Sequence, residues 1–224
     1  MKTLLVISAL KQILLSCLFA TLTRHKQNNK RRKYAYILFI LLPLFIPLPS
    51  FSAAIDYGDA PASYGSPSHT IVSGMYLGGA APDSEAWTQS NSTATGDDAT
   101  FTNDEDGVFI PTLVQGQTAS LTIEATGSTG YLQGWIDWNQ DGDFLDANEQ
   151  VARGIQDGSG ADKQTARGLI TFTTMVPTNA IAGKTYARFR WSSHATLAAN
   201  RGLASNGEVE DYTVTVATPK SQSC

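Results

Sequence analysis

Between positions 118 and 125 every second residue is apolar. Ala119, Leu121, Ile123 and Ala125 fall on one side, and Thr118, Ser120, Thr122 and Glu124 on the other. The same period of two returns at 184–191, which opposes Thr185, Ala187, Phe189 and Trp191 to Lys184, Tyr186, Arg188 and Arg190. It returns again at 211–216, with Tyr212, Val214 and Val216 against Asp211, Thr213 and Thr215. Successive side chains of a strand point to opposite faces, whereas a helix repeats every 3.6 residues, so these segments read as half-buried strands. No stretch of 55–224 sustains the helical period. Further strands are predicted at 71–77, 108–110, 131–138 and 168–176. Turn-rich stretches at 78–98, 126–130, 141–148 and 154–165 separate them. About seven or more short strands without a long helix predict an all-β fold, an antiparallel β-sandwich, with a jelly roll as its nearest competitor. The absence of a fixed-period repeat argues against solenoids and propellers.

Charge divides the chain in two. Residues 1–54 hold eight basic side chains and no acidic one. Of the 16 Lys+Arg and 20 Asp+Glu in the whole chain, residues 55–224 therefore keep eight and all twenty, a net charge of -12. An acidic body of that kind excludes nucleic-acid binding through a basic patch, because nothing would offset phosphate repulsion. The basic segment has the parts of an export signal. Lys30-Arg31-Arg32-Lys33 precedes an apolar run at 34–48, and Ser52 and Ala54 set small residues at the -3 and -1 positions before Ile55. Cleavage is expected after Ala54, leaving a secreted, extracellular or cell-surface protein without a stable membrane span. The apolar run is shorter than the ~20 residues of a spanning helix and contains Pro43 and Pro47. A second apolar run upstream is accounted for by a start assigned too far upstream, which would make 1–29 marginal. Leu14-Leu15-Ser16-Cys17 also resembles a bacterial lipobox, a reading weakened by Lys11 and by the complete signal that follows. After cleavage only Cys224 remains, in a 218–224 tail expected to be disordered, so no intrachain disulfide can hold the fold.

Carboxylates carry the chemistry on offer. In Asp137-Trp138-Asn139-Gln140-Asp141-Gly142-Asp143 the oxygen-bearing side chains alternate, with a glycine at the turn. This is the D-x-N-x-D-G-D spacing of an EF-hand-type calcium loop. Ca²⁺ takes six to eight hard oxygens, and a tight loop that turns alternate side chains inward supplies them. The twelfth position is Asn148 instead of the usual Glu, and the lead-in is a strand, so the segment is a calcium loop between strands and not an EF-hand. Asp146 or Glu149 would close the coordination sphere of Asp137, Asn139, Asp141 and Asp143. The plainer alternative is a hairpin whose aspartates make local Asx-turns, which accounts for one or two of them better than for four. Calcium is favoured over magnesium because many protein oxygens are available. Asp104, Glu105 and Asp106 form a second acidic knot, equally readable as a metal turn or as a solvated loop. Glu208 and Glu210 share a face, as do Arg188 and Arg190, and pairing of their strands would make an exposed ladder of charge pairs worth ~0.2–1 kcal/mol each.

Catalytic motifs are missing. There is no H-E-x-x-H, G-x-S-x-G or P-loop, and His69 and His194 lie in no readable triad. A two-carboxylate glycosidase needs a cleft that a single small sandwich seldom builds, so hydrolysis ranks below binding. Of Trp87, Trp135, Trp138 and Trp191, most are expected in the core. Alternation sets Trp135 and Trp138 on opposite faces, one of them open to solvent and to sugar stacking.

Several motifs occur in a fixed order: Asp56-Tyr57-Gly58-Asp59-Ala60-Pro61 with Tyr64-Gly65, Gly96-Asp97-Asp98, and Asp104-Glu105-Asp106-Gly107-Val108. The loop above, Tyr186-Ala187-Arg188-Phe189-Arg190 and Gly207-Glu208-Val209-Glu210-Asp211-Tyr212 continue the series. From about Asp56 to Val216 this resembles the GEVED domain of bacterial secreted and surface proteins. The resemblance implies a β-sandwich module of large exported proteins, such as adhesin-like chains or proteases with accessory domains, and assigns no activity. Here the module, 55–217, stands almost alone, as a truncated gene or a free-standing module would. The expectation is a secreted, calcium-binding β-sandwich with a structural, adhesive or ligand-binding role and no catalytic activity. Its partner would be a surface ligand, glycan or protein, and the alternative role is that of a carbohydrate-binding module.

Overall fold

The computed structural model describes residues 53–96, 103–127 and 129–220. The readings made on the leader as far as Phe51 and Ser52, on Asp97 and Asp98, and on Cys224 lie outside the described residues. In chain order the strands are β1 (Ile55–Tyr57), β2 (Ser68–Thr70), β3 (Tyr76–Leu77), β4 (Val108–Phe109), β5 (Leu113–Val114) and β6 (Thr118–Thr126). They continue with β7 (Tyr131–Ile136), β8 (Gln150–Ile155), β9 (Leu169–Met175), β10 (Gly183–Ser192), β11 (Leu203–Ala204) and β12 (Glu208–Ala217). A single 3-10 turn, Ala62–Tyr64, is the only helical element among the described residues. None of their helices is long and apolar enough to cross a membrane. The fold is all-β, as the alternation predicts.

Two sheets enclose the main core. One runs β5-β12-β10-β7-β8; in the other β6 pairs with β9 on one side and with β3 and β4 on the other. The long pairings are antiparallel, and short parallel contacts join β5 to β12 and β11 to β2. The alternating face of β6 meets Ile170 and Phe172 of β9 and, across the layer, Leu132, Ile136, Phe189, Trp191 and Val216. Each such side chain stabilises the fold by ~1.5–3 kcal/mol through the apolar surface it removes from water. Packing leaves no slack at the centre. Gly134 stands opposite Phe189, and a Cβ built there would lie 2.7 Å from the ring. Trp191 spans the sandwich, its Nε1 donating to the Thr126 carbonyl at 2.8 Å.

A third, small sheet, β1-β2-β11, covers the outer face of the five-stranded sheet. Beneath it lie Arg188 and Arg190, both fully buried, where alternation had suggested an exposed charge ladder. The register explains the difference. Arg188 pairs with Asp211 and Arg190 with Val209, whereas Glu208 and Glu210 stand opposite Trp191 and Phe189 and so face the other side. Arg188 spends all five donors: two on Asp211 and three on the carbonyls of Tyr64, Gly65 and Ala199. Arg190 likewise gives four to the carbonyls of Ser68, Ala198, Arg201 and Gly202 and its Nε–H to His69 Nε2. That leaves His69 Nδ1 to donate to the Asn206 carbonyl, 2.9 Å away. Burial and then the Arg190 charge hold His69 down at about 3, so it is neutral across the physiological range.

The remaining local differences have structural causes. The expected strand at 71–77 is strand only at its end, in β3, because a turn in which Met75 N–H donates to the Val72 carbonyl and Gly74 has φ 80° occupies most of it. Strands β1, β5 and β11 are two or three residues long, too short for a period to show. The alternation of β8 is broken by register shifts against β7.

Candidate metal centre

The loop at 137–149 is tied at both ends by buried carboxylates before any question of a ligand arises. Asp137 leaves β7 fully buried. Its Oδ1 accepts from the Gln140 N–H at 2.6 Å, and its Oδ2 from Gly142 N–H at 3.2 Å and the Tyr64 hydroxyl at 2.6 Å. Burial and the Asp137 hydrogen bond and charge raise the Tyr64 phenol, which therefore keeps its proton and remains a donor. At the far end Glu149 accepts from Trp138 N–H at 3.2 Å and Asp146 N–H at 3.0 Å. Burial, followed by the nearby Asp137 charge, pushes Glu149 up to about 7 against those two donors. Gly142, at φ 93°, makes the reversal that a side chain would strain.

Between these anchors the polar side chains form a run of Asx-turns. Asn139 Oδ1 accepts from Asp141 N–H, Asp141 Oδ1 from Asp143 N–H, and Asp143 Oδ1 from Leu145 N–H, at 3.2, 3.2 and 2.8 Å. On this backbone Asp141, Asp143 and Asp146 come together, with an oxygen of each within 4.8 Å of the others. Asn139 Nδ2 lies over two of them, donating to Asp141 Oδ2 at 3.0 Å and Asp146 Oδ2 at 2.7 Å. That hydrogen bond is the chief reason the Asp141 carboxyl is held below its usual range. A donor at that point does what a cation would do, offsetting two converging negative charges.

The six residues expected as ligands therefore divide into two groups. Asp141, Asp143 and Asp146 converge, with Asn139 beside them, while Asp137 and Glu149 turn inward and hold the loop's backbone. The donor set suits a hard cation. Oxygens on opposite sides of a Ca²⁺ ion stand ~5 Å apart, given bonds of ~2.3–2.6 Å, and the three oxygens of the cluster lie within that limit. A half-turn of the Asn139 amide presents Oδ1 in place of Nδ2 as a further oxygen.

The second acidic knot is dispersed. Asp104 Oδ2 accepts from Asp83 N–H, Glu105 Oε2 from Asp211 N–H, and Asp106 from Gly79 and Ala80 N–H, all at 2.9–3.1 Å. These carboxylates tie separate backbone segments together. Glu208 and Glu210 behave likewise, Glu208 accepting from Leu77 N–H and Glu210 from Gly107 N–H and the Tyr212 hydroxyl. Burial pushes Glu210 up to about 8, and burial and then the Glu210 charge raise Glu208 well above its usual range. Trp135 and Trp138 are both buried, on opposite faces of their sheet, so the open tryptophan is neither of them but Trp87. Nothing in local periodicity singles out Trp87, because it lies in no strand.

Fold and loop together define the class: a β-sandwich with an acidic loop between β7 and the edge strand β8, and an arginine-centred outer layer. Residues 131–215 match the family model of the GEVED domain. The match spans β7 to β12, including the acidic loop and the Arg188–Asp211 pair; the motifs between Asp56 and Val108 lie outside it. Neither a curated protein nor a solved structure matches the chain.

Proposed function

We propose that the protein is an exported, non-catalytic binding or structural module whose loop at 137–149 takes up calcium. One observation carries the metal reading: three aspartates on one short loop bring their oxygens within 4.8 Å of one another on an anchored backbone. Like charges held that close repel, and a divalent cation turns the repulsion into attraction. Export is supported by the signal-like leader, and an extracellular calcium module works at dissociation constants of ~10⁻⁴–10⁻³ M, which suits an outside medium. Bound calcium would brace the connection between β7 and β8, in a fold whose described residues include no cysteine. At 100 times its dissociation constant one ion adds about 2.7 kcal/mol to the folded state. The test is thermal unfolding of the full chain in EGTA and after addition of Ca²⁺ or Mg²⁺, paired with titration calorimetry. A midpoint raised by Ca²⁺ more than by Mg²⁺, with binding heat, supports the reading. An unmoved midpoint together with no heat refutes it.

A further inference from the structure

A second site lies away from the acidic loop. Trp87 is 71% exposed, whereas Trp135, Trp138 and Trp191 are all buried. It forms one wall of an open groove of about 600 Å³ whose other side chains include Ser66, Thr88, Gln89, Ser90 and Asn91. Among the described residues no lining residue is charged. Among the described residues, neither the Trp87 indole N–H nor the Gln89 side chain is engaged in a hydrogen bond, so an aromatic face, an N–H and an amide are all on offer.

The groove is built, although no strand forms it. Glu85 N–H donates to the Ile55 carbonyl and the Glu85 carboxylate accepts from Tyr57 N–H, each at 2.9 Å, pinning the segment just before Trp87. Asn91 N–H donates to the Asp59 carbonyl at 2.9 Å, and Asn91 Oδ1 accepts from Thr93 and Thr95 N–H. Lys184 Nζ and the Tyr186 hydroxyl both donate to the Ser92 carbonyl, at 2.6 and 2.8 Å. A hydroxyl pair, Ser66 and Thr88, joins the two rims. An exposed indole held in place on both sides loses little freedom when something stacks on it.

We propose that this groove binds a neutral saccharide, its ring stacked on Trp87 and its hydroxyls bonded to Gln89 and the neighbouring hydroxyl and amide groups. The chemistry selects that class. A sugar ring presents C–H groups on one face and hydroxyls at its edge, matching an aromatic wall beside uncharged donors and acceptors. The lack of a cation in the groove, within an acidic body, disfavours phosphorylated, sulfated or uronic ligands. The site does not depend on the calcium reading, and the two fail separately.

The experiment is affinity electrophoresis of the full chain in native gels containing laminarin, xylan or yeast mannan, with heparin as the anionic control, each run with and without EGTA. Retardation is expected in at least one neutral gel and not in heparin. It should be unchanged by EGTA, weakened about tenfold in Trp87→Ala and largely kept in Trp87→Phe. Because Trp87 is mostly exposed, the variant's unfolding midpoint should match the parent's, and Gln89→Ala gives a second, independent weakening. No retardation in any neutral gel overturns the proposal. Retardation indifferent to both substitutions, or abolished by EGTA, also overturns it, by placing the binding elsewhere.

Discussion

Arg188 and Asp211 face each other across β10 and β12 as a two-pronged ion pair, Nε to Oδ1 at 2.6 Å and Nη2 to Oδ2 at 2.7 Å, with neither side chain reached by solvent. Asp211 Oδ2 also accepts from Ala60 N–H, and the remaining Arg188 donors hold the carbonyls of Tyr64, Gly65 and Ala199. One pair thus ties the small outer layer to the central sheet. Removing one partner of a buried pair leaves an uncompensated charge and costs ~3–5 kcal/mol. Asp211→Asn should therefore lower the unfolding midpoint by ~6–20 °C, at ~2–4 °C per kcal/mol for a domain of this size. Arg188→Lys should not restore stability, because an ammonium cannot fork or reach three carbonyls at once. Differential scanning calorimetry of the two variants checks this, and a shift within 2 °C for either would refute the assignment.

Glu210 gives stability a pH dependence of defined sign. Its folded carboxyl is pushed up to about 8 by burial, against ~4.3 in an unfolded chain. Between those values the folded state keeps a proton that the unfolded state has released, so stability falls as pH rises through the window. The contribution is fully present below ~4.3 and gone above about 8. Glu210→Gln cannot lose the proton, and it also relieves Glu208, which the Glu210 charge raises further. Urea unfolding of parent and variant at pH 5 and pH 8 should show the variant gaining stability relative to the parent at the higher pH. Parallel curves would show that Glu210 titrates normally.

Gly134 marks where the central sheet has no room. A Cβ there would approach the Phe189 ring to 2.7 Å and the Ala152 methyl to 3.2 Å. Gly134→Val should cost ~1–3 kcal/mol by overpacking. A Phe189→Leu replacement in the same chain should recover part of it, since the clash is with the ring. Denaturant midpoints of the single and double variants check the coupling.

The strands with a sustained period of two, β6, β9, β10 and β12, were legible because each residue's face followed from its parity. Parity does not give register. Arg188, Arg190, Glu208 and Glu210 lie on the strands expected for them, yet their pairing depends on the offset between β10 and β12, which sets Glu210 against Phe189 instead of an arginine. Nor does parity reveal a third layer, so side chains that alternation assigns to solvent were in fact covered by β1, β2 and β11. In the acidic loop, spacing identified which residues approach one another but not their division of labour. Asp137 is spent on Gln140, Gly142 and Tyr64, and the tyrosine comes from a turn 73 residues earlier. The Trp87 groove was illegible for a further reason: its backbone is fixed by contacts to β1 and β10 and has no period of its own.

That division of labour separates two roles within one loop. Asp143 bonds only locally, its Oδ1 accepting from Leu145 N–H, while its carboxylate joins Asp141 and Asp146 in the cluster. Asp143→Asn keeps an oxygen for the turn and removes one charge from the cluster. In EGTA it should unfold within ~0.5 kcal/mol of the parent, as surface substitutions usually do, while its gain from added Ca²⁺ is reduced or lost. Asp137→Asn acts in the opposite way. An amide has one acceptor oxygen in place of two, so among the Gln140, Gly142 and Tyr64 donors at least one loses its partner in a buried setting, at ~1–3 kcal/mol. It should destabilise the chain in EGTA by that amount, and the calcium increment, measured above that lower baseline, should persist. Thermal unfolding of both variants with and without Ca²⁺ decides the matter. If Asp137→Asn alone abolished the calcium increment while leaving the EGTA baseline in place, Asp137 would be the ligand and Asp143 only a turn.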